Sequence, residues 1–146
     1  MAVSLVERTT ITYSAAVSAC EKGGQWVWAL QLFRVMADNC VERDTITYNA
    51  AVSACEKGEQ WAQALQLFRE MSDSRVQRDT ITYSAAVSAC EQGEQWVQAL
   101  QLFREMEDSR VGRDNITYNA TVSACEKGQQ WVQALELFRE MEDSGV

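Results

Sequence analysis

The sequence predicts an all-α fold in which four helical hairpins stack into an elongated array. The first observation is a repeat: near-identical segments begin at Ile11, Ile46, Ile81 and Ile116, each 35 residues after the previous one. The second is that apolar residues within each copy recur at helical spacing and never alternate as in a strand. The third is that the chain contains no proline to interrupt these patterns. Units this short bury a core only by stacking on their neighbours.

The second copy shows the two helices of one unit. Its first apolar stripe has the spacing i, i+3, i+4, i+7 and comprises Tyr48, Ala51, Val52 and Cys55. Gly58 follows as a helix stop, and Asp44 or Thr45 can cap the start of the helix with a short polar side chain. The second stripe comprises Trp61, Ala64, Leu65, Phe68 and Met71. Each unit is therefore predicted to be a helical hairpin.

Tryptophan opens the second helix of every copy, at Trp26, Trp61, Trp96 and Trp131. These side chains begin the second apolar stripe, so we expect them to pack between helices rather than to stack on a ligand. Trp28 occurs only in the first copy and lies off the stripe, which predicts partial exposure.

Composition limits the possible functions. The apolar share of 47% is normal for a globular protein, and the net charge of −8 argues against binding duplex DNA through bulk charge. Cys20, Cys55, Cys90 and Cys125 recur with the repeat and are expected to be buried free thiols, whereas Cys40 lies in a connecting turn. No apolar run is long enough to span a membrane, and the N-terminal residues resemble neither a signal nor a transit peptide.

An enzyme is not expected. The chain has no histidine, and it has no CxxC pair or glycine-rich phosphate loop. Nearly all carboxylates recur with the repeat, whereas a catalytic site is a unique constellation. No cofactor, metal ion or small-molecule substrate is predicted.

The period sets the boundaries of the units. The repeats are residues 10–44, 45–79, 80–114 and 115–146, the last of them incomplete. Residues 1–9 align with the end of repeat 1, since "MAVSLVERTT" matches "MADNCVERDT" without gaps. They are expected to be the tail of a preceding repeat in a longer array.

The unit resembles the P-type pentatricopeptide repeat (PPR). The resemblance is carried by the 35-residue period, "TYN" or "TYS" in the first helix, "ALQLFREM" in the second and the closing aspartate. It implies a right-handed α-solenoid of four repeats whose first helices line the concave surface. The chain departs from the family where Arg43, Arg78 and Arg113 replace a common proline, and where Cys40, Arg75 and Arg110 replace a common glycine.

The resemblance also implies binding of single-stranded RNA, one base per repeat. The fifth and closing residues of each repeat would contact the base edge; they are Ser14, Asp44, Asn49, Asp79, Ser84, Asp114 and Asn119. The aliphatic second residues would pack against the base faces; they are Ile11, Ile46, Ile81 and Ile116. By the family's code the order of bases would be 5′-G-U-G-(pyrimidine). Lys22, Lys57 and Lys127 would face the phosphates, with Gln92 interrupting the series.

A protein-binding scaffold remains the main alternative, because helical solenoids also bind peptides and the acidic balance suits a basic partner. A scaffold predicts polar variation scattered over the concave helices, whereas RNA recognition predicts it at the fifth and closing residues. The family further implies RNA processing, stability, editing or translation in a mitochondrion or plastid. No targeting residues are recognisable in this chain.

Overall fold

The computed structural model describes residues 5–144, and the side chains of residues 11–143 within them. The helices are α1 (Leu5–Lys22), α2 (Trp26–Asp38), α3 (Thr45–Lys57), α4 (Trp61–Asp73), α5 (Thr80–Gln92), α6 (Trp96–Asp108), α7 (Asn115–Lys127) and α8 (Trp131–Ser144). The described residues contain no strand, which confirms the all-α prediction. Helix α1 already begins at Leu5, so residues 5–9 continue the first helix of repeat 1. Residues 1–4 and residues 145–146, which include Gly145, lie outside the described residues.

The hairpins stack in one direction to form a solenoid. Each first helix packs on the next first helix, in the series α1, α3, α5, α7. Each second helix packs on its own partner and on the following first helix. The backbones of neighbouring second helices lie farther apart, and long side chains reach between them, as where Arg104 of α6 donates to Glu140 of α8 at 3.0 Å. The second helices therefore spread apart while the first helices stay in contact, which makes the surface of the first helices the concave one.

The predicted apolar stripes form the core. Tyr48, Ala51, Val52 and Cys55 are all buried, as are Ala64, Leu65, Phe68 and Met71. An aromatic pair joins each repeat to the next: Phe33 meets Tyr48 edge to face with ring centroids 4.8 Å apart. The same contact recurs for Phe68 with Tyr83 and for Phe103 with Tyr118. Such pairs are favourable beyond the area they bury.

The arginines that replace a common proline have a structural role at the same junctions. The guanidinium of Arg43 lies 4.3 Å from the ring centroid of Phe33, and that of Arg113 lies 3.9 Å from Phe103. Arg113 also donates hydrogen bonds of 3.2 and 2.9 Å to the carbonyl oxygen of Phe103. Cation–π contact and hydrogen bonding thus cover the edge of the aromatic pair.

The helix caps match the sequence prediction at one end and refine it at the other. The carboxylate of Asp44 caps α3 by accepting from the Thr47 backbone N–H at 3.0 Å. Gly58 ends α3, but its φ of −86° is open to any residue, and it is Glu59 that takes the left-handed φ of 57°. Gly58 is needed for another reason: a Cβ there would lie 2.3 Å from Cδ1 of Trp26.

The same approach of indole to glycine occurs at every described junction. Trp61 lies against Gly93 and Trp96 lies against Gly128, again 2.3 Å from where a Cβ would be. Trp26, Trp61 and Trp96 thus pack between helices as predicted. The prediction was wrong for Trp131, which is 70% exposed because the described chain offers it no following glycine turn. Trp28 is 60% exposed, as expected.

The cysteines are free thiols, and Cys55, Cys90 and Cys125 are buried, as predicted; Cys20 is half-buried and Cys40 exposed. Burial raises the pKa of Cys55 from 9.0 to about 11 and that of Cys90 to about 12, against a smaller lowering by nearby arginines.

Within residues 5–144, no helix combines the length and apolarity needed to cross a bilayer.

Candidate functional site

The junction between repeats 2 and 3 brings the predicted pair Asn49 and Asp79 into contact. Nδ2 of Asn49 donates to Oδ1 of Asp79 at 3.1 Å. Thr82, two residues after the start of α5, places its hydroxyl against both Oδ1 of Asn49 and Oδ1 of Asp79, and its one proton serves one of these two acceptors at a time. Its backbone N–H donates to Oδ1 of Asp79 at 3.1 Å. Asn49 on α3 and Asp79 before α5 are therefore held together by a residue of the following repeat.

The carboxylate of Asp79 is kept ionised by this arrangement. Burial raises its pKa, but the backbone and side chain of Thr82 and the amide of Asn49 donate hydrogen bonds that together lower the pKa below its ordinary value. All these bonds end on Oδ1. Among the described residues, Oδ2 is therefore the oxygen that remains available to a ligand.

The junction between repeats 3 and 4 has the same frame and a different fifth residue. Thr117 donates to Oδ1 of Asp114 at 2.6 Å, and its hydroxyl lies 3.0 Å from the hydroxyl of Ser84. The single proton of the Thr117 hydroxyl is used on the carboxylate, so Ser84 is the donor to Thr117. With its proton donated to Thr117, the Ser84 hydroxyl has only acceptor lone pairs to offer a ligand.

The predicted base-reading pairs of repeats 1 and 4 are less complete than those of repeats 2 and 3. Asp44 accepts from the backbone and hydroxyl of Thr47 at 3.0 and 2.7 Å, as in the other junctions. In the described part of the chain no hydrogen bond links Ser14 to Asp44 or Thr47. Asn119 is exposed on α7, and the described residues include no closing aspartate for it.

The threonines that organise these junctions were missed by the sequence reasoning. Thr47, Thr82 and Thr117 are fully buried, and each hydroxyl binds the aspartate that caps its own helix. The available signal was a hydroxyl residue directly before the core tyrosine of every repeat, since a buried polar side chain needs partners.

The isoleucines at the second position lie outside the core, as expected. Ile11, Ile46, Ile81 and Ile116 are 60–70% exposed, beside the polar pairs at the start of each first helix. Exposed aliphatic side chains in a regular row offer flat apolar surface to a ligand.

The lysines predicted to face phosphates are engaged within the protein. Lys57 pairs with Glu21 of the preceding repeat, and Lys127 pairs with Glu91. Gln92 occupies the position of these lysines in repeat 3 and donates to Oε2 of Glu56 at 2.9 Å. We call this series of contacts between neighbouring first helices the ladder; Gln92 takes part in it without a charge. Lys22 is exposed at the end of α1. The ladder fastens neighbouring first helices and reduces the free positive charge on the concave side.

The two well-formed junctions differ in what they offer a ligand. At Ser84 and Asp114 the exposed groups are two acceptors. At Asn49 and Asp79 they are an amide N–H donor and a carboxylate acceptor. The pair of Ser84 and Asp114 therefore complements a ligand that has two adjacent N–H donors. The pair of Asn49 and Asp79 complements a ligand that has an acceptor next to an N–H donor. No group of His, Cys, Asp or Glu among the described residues is arranged to hold a metal ion.

The fold and these junctions define a helical-repeat protein that presents a row of paired polar side chains on its concave surface. The PPR repeat matches residues 11–41, 81–111 and 116–146, and the PPR repeat family matches residues 43–92. The chain therefore belongs to the PPR repeat family, as its sequence motifs indicated. Among curated protein sequences, no significant match was found.

Solved structures agree with this assignment. The pentatricopeptide repeat protein PPR10 from maize is 26% identical, with a TM-score of 0.78 over 90% of this chain and 19% of its own. PPR10 in complex with an 18-nt psaJ RNA element is 25% identical, with a TM-score of 0.80 over 93% of this chain and 20% of its own. The chain thus spans about a fifth of PPR10.

A further structure shows likeness of fold alone. The PPR domain of Arabidopsis thaliana protein-only RNase P 1, in complex with tRNA, is 16% identical. Its TM-score is 0.87 over 94% of this chain and 73% of its own.

Proposed function

We propose that this chain binds single-stranded RNA on its concave surface, one base per repeat, in the order 5′-G-U-G-(pyrimidine). The observation that carries the proposal is the difference between two junctions built on one frame. Ser84 with Asp114 presents two acceptors, and Asn49 with Asp79 presents a donor and an acceptor. The RNA complex of PPR10, a relative of the same fold, supports the choice of ligand.

The base preferences follow from donor and acceptor patterns. The Watson–Crick edge of guanine carries N1–H and N2–H₂ side by side, which matches two acceptors. Uracil carries N3–H beside a carbonyl oxygen, which matches an acceptor beside a donor. A cytosine edge also offers a donor and an acceptor, so the choice of uracil opposite Asn49 rests on the family's code.

The exposed isoleucines complete the site. Each lies at the second position of a repeat, so bases laid along the concave surface would alternate with Ile46, Ile81 and Ile116. Apolar packing of this kind is independent of base identity and supplies affinity, while the polar pairs supply selectivity.

Charge limits the affinity. The net charge is −8, and Lys57 and Lys127 are paired with glutamates, so attraction to phosphates is weak. Three or four bases at about 1–3 kcal/mol each, set against the several kcal/mol lost on association, give micromolar or weaker binding. The biological setting we propose is RNA processing, stability, editing or translation in a mitochondrion or plastid.

The test is a fluorescence titration with two short RNAs that carry G-U-G or G-G-G in otherwise identical sequences, at one fixed low salt concentration. The wild-type chain is expected to prefer G-U-G. Asn49→Ser converts the junction to the Ser84 type and is expected to reverse the preference. Gln66→Ser makes a similar amide-to-hydroxyl change at an exposed position on α4 and is expected to leave the preference intact.

Two outcomes would contradict the proposal. If folded wild-type protein binds neither RNA at high protein concentration, the chain is better explained as a protein-binding scaffold. If it binds both RNAs equally and Asn49→Ser changes nothing, RNA binding stands but base recognition at this pair does not.

A further inference from the structure

The junction between repeats 3 and 4 contains a chain of hydrogen bonds that runs from the half-buried Ser84 on α5 into the core. The backbone N–H and the hydroxyl of Thr117 both donate to Oδ1 of Asp114, at 2.9 and 2.6 Å. The Ser84 hydroxyl lies 3.0 Å from that of Thr117, which is fully buried. Within residues 5–144, Thr117 is the one hydrogen-bond partner of the Ser84 hydroxyl.

The number of protons fixes the direction of these hydrogen bonds. A carboxylate only accepts, and a hydroxyl has a single proton to donate. Since Thr117 donates its proton to Asp114, its oxygen has only lone pairs to offer Ser84, and Ser84 donates inward. If the Ser84 proton turned outward to a ligand, the buried Thr117 oxygen would lose its donor. Leaving a buried acceptor without its partner is unfavourable, so Ser84 resists acting as a donor to a ligand.

We propose that Thr117 is a positioning residue that determines base specificity: by accepting the proton of Ser84, it makes the pair of Ser84 and Asp114 reject adenine while binding guanine. This inference rests on the proposed RNA binding. Guanine presents two N–H donors, at N1 and N2, which match two acceptors. Adenine presents the N1 acceptor beside the N6 amino donor, so it requires a donor from Ser84.

The junction between repeats 2 and 3 depends less on its threonine. The Asn49 amide carries its donor and its acceptor on separate atoms, and Nδ2 donates to Oδ1 of Asp79 at 3.1 Å. This bond orients the amide without the Thr82 hydroxyl and leaves the second Nδ2 proton for a ligand. Loss of the Thr82 hydroxyl therefore loosens the pair but does not turn its donor into an acceptor. The threonine sets the hydrogen-bonding pattern only where the fifth residue is a hydroxyl.

The test compares RNAs that carry G-U-G and G-U-A in otherwise identical sequences, by fluorescence titration at one fixed low salt concentration. Wild-type protein should prefer the guanine RNA. Thr117→Val keeps the buried shape and the backbone N–H bond to Asp114, but it leaves the Ser84 proton without an inward acceptor. The ratio of guanine to adenine affinity should then fall about fivefold, mainly because the adenine RNA binds more tightly.

Two further variants separate this role from a loss of packing. Thr117→Ser retains a hydroxyl at the buried position and should keep the preference for guanine. Thr82→Val removes the equivalent hydroxyl one repeat earlier and should leave the choice at the third base unchanged. If Thr117→Val keeps the wild-type ratio, or weakens both RNAs equally, the proposal is overturned while RNA binding stands.

A second measurement needs no RNA. Urea denaturation of Ser84→Ala, Thr117→Val and the double variant forms a double-mutant cycle on the hydrogen bond between these residues. The double variant should lose less stability than the sum of the single losses, because each single change breaks the same bond. Additive losses would overturn the proposal. If the cycle shows coupling but folded wild-type protein binds neither RNA, the hydrogen bond stands, while the proposed function and the role of Thr117 in specificity are both overturned.

Discussion

Each repeat junction has an apolar half and a polar half, and the two halves differ in how much their residues vary from one junction to the next. The apolar half is the same in all three described junctions: a phenylalanine meets a tyrosine, a tryptophan meets a glycine and an arginine covers the ring. The polar half keeps its aspartate and threonine but changes its fifth residue from serine to asparagine and back. Under the proposed RNA binding, the apolar half would supply stability and the polar half selectivity, so that a base preference could change without unfolding the array.

The largest effect is expected from a single methyl group in the apolar half. Gly93→Ala places a Cβ 2.3 Å from Cδ1 of Trp61, and the indole has to move out of the junction. The expected loss of unfolding free energy is about 2–3 kcal/mol, the upper range for overpacking, measured by urea denaturation. Gly23→Ala is the matched control, because Gly23 also follows a first helix but has no tryptophan against it. Equal losses for both variants would contradict the role of the tryptophan.

The second-largest effect is expected from changing Thr82, the buried threonine that contacts the polar pair of its junction. Thr82→Val keeps the shape but removes the hydroxyl that bonds Asn49 and Asp79. We expect a stability loss of about 1–2 kcal/mol from the unmade hydrogen bonds. We also expect the preference for G-U-G over G-G-G to shrink, while binding itself persists. A variant that loses stability but keeps the full preference would show that Thr82 supports the helix start without positioning the pair.

A smaller effect, of opposite sign, is expected in the turns. Glu94 has a left-handed φ of 56°, where the first repeat has Gly24 at 70°. Glu94→Gly removes the unfavourable contact of its Cβ with the backbone and should raise the unfolding free energy by about 0.5–1 kcal/mol. The reverse change, Gly24→Glu, should lower it by a similar amount. Thermal unfolding of both variants checks the prediction, and base preference should stay the same in each.

The effect that is smallest near neutral pH is the pH dependence that comes from the buried thiols. Burial raises the pKa of Cys55 to about 11, so the thiol stays protonated in the folded chain while it ionises from about 9.0 upward in the unfolded chain. The stability contribution is fully present below pH 9, declines between pH 9 and 11, and levels off above the folded pKa. Cys55→Ala should flatten this decline. In native protein at pH 8, a thiol reagent should label Cys40 and spare Cys55 and Cys90.

The sequence predicted the hairpins well because their signals are local and repeated four times. The stripe through Tyr48 and Cys55, the cap at Asp44 and the exposure of Ile46 were all readable from spacing. The true role of Gly58 was not, because it depends on an indole 32 positions earlier. Thr82 was missed for the same reason: its partner Asn49 belongs to the repeat before. Contacts between repeats depend on how the repeats stack, and the sequence pattern of one repeat does not contain that information.

The most direct test of this division between the two halves is the reciprocal swap, Ser84→Asn, measured against RNAs that carry G-U-G and G-U-U. We predict that the preference at the third base moves from guanine toward uracil while the urea midpoint stays where it was. A folded variant that still prefers guanine would contradict the account, because the fifth residue would then not decide which base is bound.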